Sequence, residues 1–316
     1  MSNKLKSPTM AAQPDQRRRV RIKLTGLVQG VGFRPFIYRL ARQWHVTGWV
    51  NNSTDGVIIE AEASASDLDA FLKQIRSVPP AHSLIDTIHC TNLEPQGDAE
   101  FVIQESQTQA AKTTLVLPDI ATCPECLQEV FDPDNRRYLY PFTNCIHCGP
   151  RYSIIEAIPY DRANTSMNTF AMCPECQKEY DNPNNRRFHA QPNACPTCGP
   201  HLELCDRQGQ VLADRHEALT QAVEAIKAGD ILAIKGIGGF HLVVDVANEQ
   251  SVVQLRQRKH REEKPFALMM PSLDMIEQYC HVSEQERVLL TSSAAPIVLL
   301  QRRSDRQSPP KNLIAK

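Results

Sequence analysis

The sequence predicts a multidomain chain of α+β and α/β character, and three observations carry that reading. Residues 20–106 alternate strand and helix periods in a β-α-β-β-α-β order. Residues 123–205 hold four Cys-x-x-Cys pairs in two similar halves. From residue 208 to 316 a helix, an apolar strand, a glycine-rich turn and a basic helix follow one another as in an α/β domain. Residues 1–19, polar and ending in Arg17, Arg18 and Arg19, read as a flexible tail, and residues 107–122 read as a linker.

A short apolar strand runs from Val20 to Val28, and the next helix presents Phe36, Ile37, Leu40, Ala41 and Trp44 as one stripe. Further on, Val57, Ile59 and Ala61 alternate with Ile58, Glu60 and Glu62, the period-2 pattern of a strand. Leu68, Phe71, Leu72 and Ile75 mark a second helical face, which Pro79 and Pro80 stop. Strands around Ile85 to Cys90 and Phe101 to Ile103 complete the order of a ferredoxin-like sandwich, one sheet with two helices on one face.

The cysteine pairs are Cys123/Cys126, Cys145/Cys148, Cys173/Cys176 and Cys195/Cys198. They belong to an internal repeat of period 50, in which CPEC, PDNRRY and CIHCGP return as CPEC, PNNRRF and CPTCGP. A Cys-x-x-Cys knuckle presents two sulfurs to one metal, and two knuckles supply the four thiolates of a closed tetrahedral zinc site. A duplicated unit most simply closes its own ion: Cys123, Cys126, Cys145 and Cys148 on one, Cys173, Cys176, Cys195 and Cys198 on the other. A nested pairing of outer with outer and inner with inner knuckles is the alternative. Disulfides or plain buried thiols are disfavoured by the paired spacing, and His147 is not needed as a ligand where four thiols are present.

In the third piece Ala218, Ala222, Val223 and Ile226 mark a helix, and Ile231 to Ile234 a strand. The turn Gly236-Ile237-Gly238-Gly239 precedes a helix ending in Arg256, Arg258, Lys259 and Arg261. A glycine-rich turn with lysine and arginine nearby suits nucleotide phosphates, and a solvated basic helix end explains the same charges equally well.

Composition bounds the function classes. The 316 residues are 41% hydrophobic, enough for several cores, and carry a net charge of −1. A chain so balanced lacks the basic excess of a protein dedicated to phosphate backbones, so no nucleic-acid partner is expected. No run of about 18 apolar residues suggests a membrane span. Metal-ready cysteines and the lack of a secretion signal point to the cytoplasm.

The turn Gln29-Gly30-Val31-Gly32-Phe33-Arg34 joins the first strand to the first helix. Two glycines let the backbone curl, the helix N-terminus adds its positive end, Pro35 suits a first helical turn, and Arg34 offers a fork of donors. The expected ligand is a phosphate. The string GLVQGVGFR, followed by GWVNN from Gly48 to Asn52, resembles the acylphosphatase family across Val20 to about Glu105. That resemblance implies that Arg34 binds substrate phosphate and that Asn52 orients the attacking water, with Asn51 as the register alternative.

The runs KGIGGFHLVVD and RKHREEKPFALM resemble the start of a YrdC-type nucleotide-binding domain, here incomplete. The resemblance implies phosphate contacts from Lys235, Lys259, Arg261 and Lys264. The whole order is similar to the HypF family, the carbamoyltransferases of nickel-iron hydrogenase maturation. It implies two structural Zn2+ ions, carbamoyl phosphate and ATP as substrates, Mg2+ with the ATP, and a HypE-like partner whose C-terminal cysteine accepts the carbamoyl group. In this relay carbamoyl phosphate is hydrolysed, the carbamate is adenylated, and the group is passed on toward the cyanide ligands of iron. Members of the family continue well beyond residue 316, so the chain is expected to be an N-terminal fragment or a truncated product that retains hydrolysis and lacks the final transfer.

Two rivals come from other classes: a stand-alone acylphosphatase with accessory zinc domains, and a zinc-dependent module that binds nucleic acid or polypeptide through Arg136, Arg137, Arg186 and Arg187. Those arginines equally serve to balance the charge of a zinc tetrathiolate. Cys90, Cys205 and Cys280 lie outside the metal framework and read as packed thiols.

Overall fold

Charged residues open the first strand. In the computed structural model, which describes residues 17–106, 115–236, 238–261 and 264–304, β1 runs from Arg17 to Leu27. It takes in three arginines read from the sequence as tail. They are ordered because β3 (Gly56–Ser64) pairs antiparallel with β1 and sets Glu60 and Glu62 beside Arg17 and Arg19, while Arg18 meets Asp69 at 3.3 Å. Arg19, 2% exposed, meets Glu60 at 2.6 Å, Glu62 at 3.2 Å and Asp98 at 2.6 Å. Glu62 also accepts from the backbone N–H groups of Gln96 and Gly97. A buried ion cluster of this kind holds only while each member is paired and hydrogen-bonded. Residues 1–16 of the expected tail lie outside the described residues.

The other elements are α1 (Phe33–Gln43), β2 (Thr47–Ser53), α2 (Ala65–Ser77), β4 (Leu84–Leu93) and β5 (Phe101–Ile103). They form a five-stranded sheet in the order β4-β1-β3-β2-β5, with β5 parallel to β2 and the other neighbours antiparallel. One face of β3 gives Val57, Ile59, Ala61 and Ala63 to the core, with Ile22, Leu24, Ile37, Leu40, Leu68 and Phe71. The opposite face carries Glu60 and Glu62, so the strand is buried on both sides for different reasons. Burial works against ionising these carboxyls, but hydrogen bonds from Arg19 and Arg21 to Glu60, and from backbone N–H groups and Arg19 to Glu62, hold both below their usual range.

The chain divides into two compact units that do not follow the sequence pieces. One comprises residues up to Leu117 together with Ile155–Thr165 and Glu179–Gln191; the other comprises Pro118–Ile154, Ser166–Lys178 and residues from Pro192 onward. The cysteine module is therefore shared, with part of it incorporated in the unit built on the five-stranded sheet. Of the expected linker, residues 107–114 lie outside the described residues. Leu117 joins the apolar core of the first unit, and Ile120 bridges Gly149 in the second.

The second unit contains α3 (Pro124–Phe131), and α4 (Pro174–Asp181) begins there, each opening at a Cys-x-x-Cys knuckle. Beyond these lie β6 (Glu203–Cys205), β7 (Val211–Asp214), α5 (Arg215–Ala228), β8 (Leu232–Lys235), β9 (Phe240–Val243) and α6 (Glu249–Arg258). β8 and β9 form a two-stranded antiparallel sheet, and Ile234, Phe240 and Leu242 along it are exposed. Among the described residues, no helix is long and apolar enough to cross a membrane.

Candidate functional site

The loop between β1 and α1 turns because Gly30 and Gly32 both take the left-handed conformation, with φ of 73° and 75°. Gly32 caps α1, and neither its side-chain-free backbone nor an acidic residue in the first turn neutralises the positive helix end. Val31 and Phe33 pack in the core below, which fixes the loop from beneath. Arg34 stands on the first turn, 8% exposed, and Asn52 on β2, 2% exposed.

The two meet at one point. Arg34 Nη2 and Asn52 Nδ2 each donate to the backbone carbonyl of Tyr160, both at 3.2 Å. Arg34 Nη1 also pairs with Asp161 Oδ1 at 2.7 Å and lies 3.5 Å from Ser106 Oγ. Asn51 points its amide instead to the carbonyl of Glu105. The convergence thus brings Asn52, not its neighbour, alongside Arg34. Gln29, expected in the phosphate loop, uses its side chain otherwise: Nε2 donates to the carbonyls of Ser53 and Gly56, and Oε1 accepts from the N–H of Tyr160.

Tyr160 and Asp161 were not legible as site residues from the sequence, nor was the group behind them. The N–H and guanidinium of Arg162 donate to Gln191 Oε1 and its carbonyl at 2.8 and 2.6 Å. Gln191 in turn donates to Tyr180 Oη at 3.0 Å, and Tyr180 lies 4.8 Å, centroid to centroid, from His189. Burial, with the Arg34 guanidinium adding to it, pushes the His189 imidazole down to about 4. Burial also raises the Tyr180 phenol. Both are therefore neutral near pH 7. The available signal was subtraction of one repeat from the other: at period 50, Tyr180, His189 and Gln191 replace Val130, Leu139 and Pro141.

The eight paired cysteines form two clusters, Cys123, Cys126, Cys145, Cys148 and Cys173, Cys176, Cys195, Cys198, the tandem pairing. Sγ–Sγ distances are 3.8, 3.8 and 3.5 Å in the first and 3.7, 3.8 and 3.6 Å in the second. Four sulfurs about 2.3 Å from a central Zn2+ stand about 3.8 Å apart, whereas a disulfide needs about 2.05 Å. The thiols fit tetrahedral zinc, and His147 belongs to neither cluster. Burial pushes the Cys123 thiol up to about 12 and, at Cys195, is outweighed by backbone N–H groups of Thr197 and Cys198, which bring it down to about 6.

Around the second cluster stand the arginines of the first repeat. Arg136 Nη2 lies 3.2 Å and Arg137 Nη2 3.7 Å from Cys176 Sγ; Arg137 also donates to Asn193 Oδ1 and the carbonyl of Ala194. Arg151 closes the second knuckle of the first cluster by donating to the carbonyls of Cys145, Ile146 and Cys148. These arginines face the cysteine clusters, which weakens a nucleic-acid reading of the pair Arg136 and Arg137.

In the third piece, the guanidiniums of Arg256 and Arg261 lie 4.6 and 5.4 Å from the Phe266 ring, and Arg256 donates to the carbonyls of Arg261 and Lys264. Lys259 caps the C-terminus of α6. Lys235 is engaged separately, its ammonium 5.9 Å from the ring of Phe240.

Comparison with known proteins finds matches in separate stretches of the chain. Residues 20–103 match the acylphosphatase family model, residues 122–155 and 172–205 the HypF finger, and residues 224–316 the telomere recombination model of the Sua5, YciO and YrdC type. The chain is 52% identical over 284 residues to carbamoyltransferase HypF of Synechocystis sp., a match covering 90% of this chain and 37% of that protein. It is 41% identical over 86 residues to an acylphosphatase of Leuconostoc mesenteroides, covering 27% of this chain and 96% of the relative. The crystal structure of a full-length HypF in the phosphate- and nucleotide-bound form superposes with a TM-score of 0.87 at 41% identity, over 96% of this chain and 39% of that one. The chain thus spans somewhat over a third of the length of the HypF proteins it matches. Its arrangement of acylphosphatase sheet, paired four-cysteine clusters and partial YrdC-like region places it, plainly, in the HypF carbamoyltransferase family.

Proposed function

We propose that the chain hydrolyses carbamoyl phosphate at Arg34 and Asn52 as the first step of carbamoyl transfer in nickel-iron hydrogenase maturation. The observation that carries this is the convergence of the Arg34 and Asn52 donors on one point beside the N-terminus of α1. In the reaction the Arg34 guanidinium and the loop from Gln29 to Phe33 hold the phosphoryl oxygens. The Asn52 amide orients a water whose oxygen attacks phosphorus. The bond from phosphorus to the acyl oxygen breaks, and carbamate leaves with its electron pair while phosphate takes the water's oxygen. An acyl phosphate is already activated, so positioning and charge stabilisation suffice.

The carbamate is then adenylated with ATP, as its Mg2+ complex, at the YrdC-like region, where Lys235, Lys259, Arg261 and Lys264 supply cations suited to nucleotide phosphates. From the adenylate the carbamoyl group goes to the C-terminal cysteine of a HypE-like partner. The match to carbamoyltransferases supports carbamoyl transfer as the overall reaction. The two Zn2+ ions are structural, closed by four thiolates each, and hold the knuckles together.

Phosphate release from carbamoyl phosphate, measured with ATP-dependent pyrophosphate release, tests the reading. Arg34→Ala is expected to lower phosphate release by about a thousandfold or more, a loss of transition-state charge stabilisation. Near-normal release by that variant would remove the site assignment.

A further inference from the structure

The point on which Arg34 and Asn52 converge is occupied by the chain itself. The Tyr160 carbonyl oxygen takes one donor from each at 3.2 Å, and Asp161 Oδ1 takes the other terminal Arg34 nitrogen at 2.7 Å. In the hydrolysis proposed above, Arg34 holds phosphate and Asn52 holds the attacking water. Neither ligand reaches its donors while the Tyr160 carbonyl stays in place. Two oxygens from adjacent residues, one of them anionic, thus stand in for the oxygens of substrate and water.

These oxygens sit at the tip of a loop closed on itself. The N–H groups of Glu156 and Ala157 donate to the Asn164 carbonyl at 2.9 and 3.1 Å, and Ile155 bridges Thr165. The loop lies between the two finger matches and outside the acylphosphatase match of residues 20–103. A compact loop with paired ends can shift its tip while its stem stays bonded. The tip is latched by Arg162, whose N–H and guanidinium donate to Gln191 Oε1 and its carbonyl, and by Asn164 Nδ2, which donates to the Pro159 carbonyl at 2.7 Å. The Asp161 side chain is 23% exposed, so it exchanges Arg34 for water when the tip withdraws. Opening therefore costs hydrogen bonds without stranding a buried charge.

We infer that residues 157–164 form an autoinhibitory loop: its tip holds the Arg34 and Asn52 donors in a closed state, and a phosphorylated substrate binds only the open state from which the tip has withdrawn. The inference rests on the hydrolytic reading of the cradle and deepens it by adding regulation of the same site. A ligand that binds only the open state has its apparent affinity reduced by the fraction of molecules that are open. Loosening the latch therefore raises affinity and leaves the chemical step as it was.

The experiment measures kcat and KM for carbamoyl phosphate, and the Kd of inorganic phosphate by calorimetric titration, in the whole zinc-loaded chain. The variants are Arg162→Ala, Gln191→Ala and Asn164→Ala, with Arg34→Ala as control. In the three latch variants KM and the phosphate Kd are expected to fall about five- to tenfold with kcat unchanged, the factor for one hydrogen bond lost from the closed state. Arg162→Ala carries the decisive sign: by charge alone, removing a cation beside an anion site weakens phosphate binding, whereas opening the loop strengthens it. Asn164→Ala, a neutral change at a half-buried position, decides the matter if the buried Gln191 variant does not retain its zinc. KM and Kd unchanged or raised in the folded variants overturn the loop; hydrolysis by wild type and not by Arg34→Ala then leaves the cradle reading intact. If nothing hydrolyses carbamoyl phosphate but the latch variants bind phosphate more tightly than wild type, the loop stands and the hydrolytic reading falls. Neither hydrolysis nor phosphate binding in any of them removes both.

Discussion

The two cysteine repeats share a backbone and differ in what their conserved-looking loops are used for within this one chain. In each, an asparagine side chain accepts from the second arginine's N–H at 2.9 Å (Asn135 to Arg137, Asn185 to Arg187). In each, a left-handed residue donates its N–H back to the helix, Leu139 to Val130 and His189 to Tyr180. The first repeat then directs Arg136 and Arg137 to the other repeat's cluster, within the second compact unit. The second places Tyr180, Phe188, His189 and Gln191 in the unit of the five-stranded sheet, where Phe188 packs edge-on to Tyr38 at 5.2 Å. The two repeats share one four-cysteine frame, and the second differs in having hydrogen-bonding Tyr180, His189 and Gln191 where the first has Val130, Leu139 and Pro141, with Gln191 bound to Arg162 next to Asp161.

The comparison breaks most visibly at the metal. Cys176→Ser is expected to lower bound zinc from two ions to one per chain and to unfold the surroundings of the second cluster, since structural zinc contributes on the order of 10 kcal/mol. Because Cys176 also faces Arg136 and Arg137, the loss should reach the first repeat, read as protease cleavage around residues 132–138. Retention of two ions would refute the tandem pairing.

A smaller effect tests the direction of the first repeat's loop. Arg137→Ala removes the donor to Asn193 Oδ1 and to the Ala194 carbonyl and is expected to cost about 3 kcal/mol. In a chelator challenge one of two ions should leave faster. Equal release of both ions from variant and wild type would separate Arg137 from the second cluster.

Much of this was legible in the sequence where the signal is periodic or paired. The strand and helix order up to residue 103 follows from apolar alternation, and the clusters from Cys-x-x-Cys spacing. Arg17, Arg18 and Arg19 read as tail because their partners, Glu60, Glu62 and Asp69, lie some forty to fifty positions away and nothing local announces the pairing. Tyr160 and Asp161 were silent because the segment between the repeats has no period, and its role arises from where the fold carries it. The pleat of β2 sends adjacent side chains to opposite faces, so Asn52 donates beside Arg34 to the Tyr160 carbonyl while Asn51 donates to the carbonyl of Glu105.

The ion cluster gives a pH-dependent contrast. Glu60 and Glu62 titrate below their unfolded values, so their contribution is complete above the unfolded pKa of about 4.3 and is lost as pH falls through the folded values. Denaturant midpoints should therefore drop steeply below about pH 4.3. His189 acts in an adjacent window: its folded value of about 4 lies below the ordinary histidine value of 6.5, so the unfolded chain binds the extra proton and stability declines as pH falls from 6.5 toward 4. His189→Asn, which tolerates the left-handed backbone, should flatten that modest slope. An unchanged slope would place His189 in a wetter setting than the one described.

The central claim is that the Tyr160–Asp161 segment occupies the donors of the cradle, and inorganic phosphate reads it without chemistry. Calorimetric titration of the zinc-loaded chain with phosphate is expected to show Asp161→Ala binding about tenfold more tightly than wild type, as the carboxylate beside Arg34 is removed. Equal or weaker binding by the variant would contradict the account.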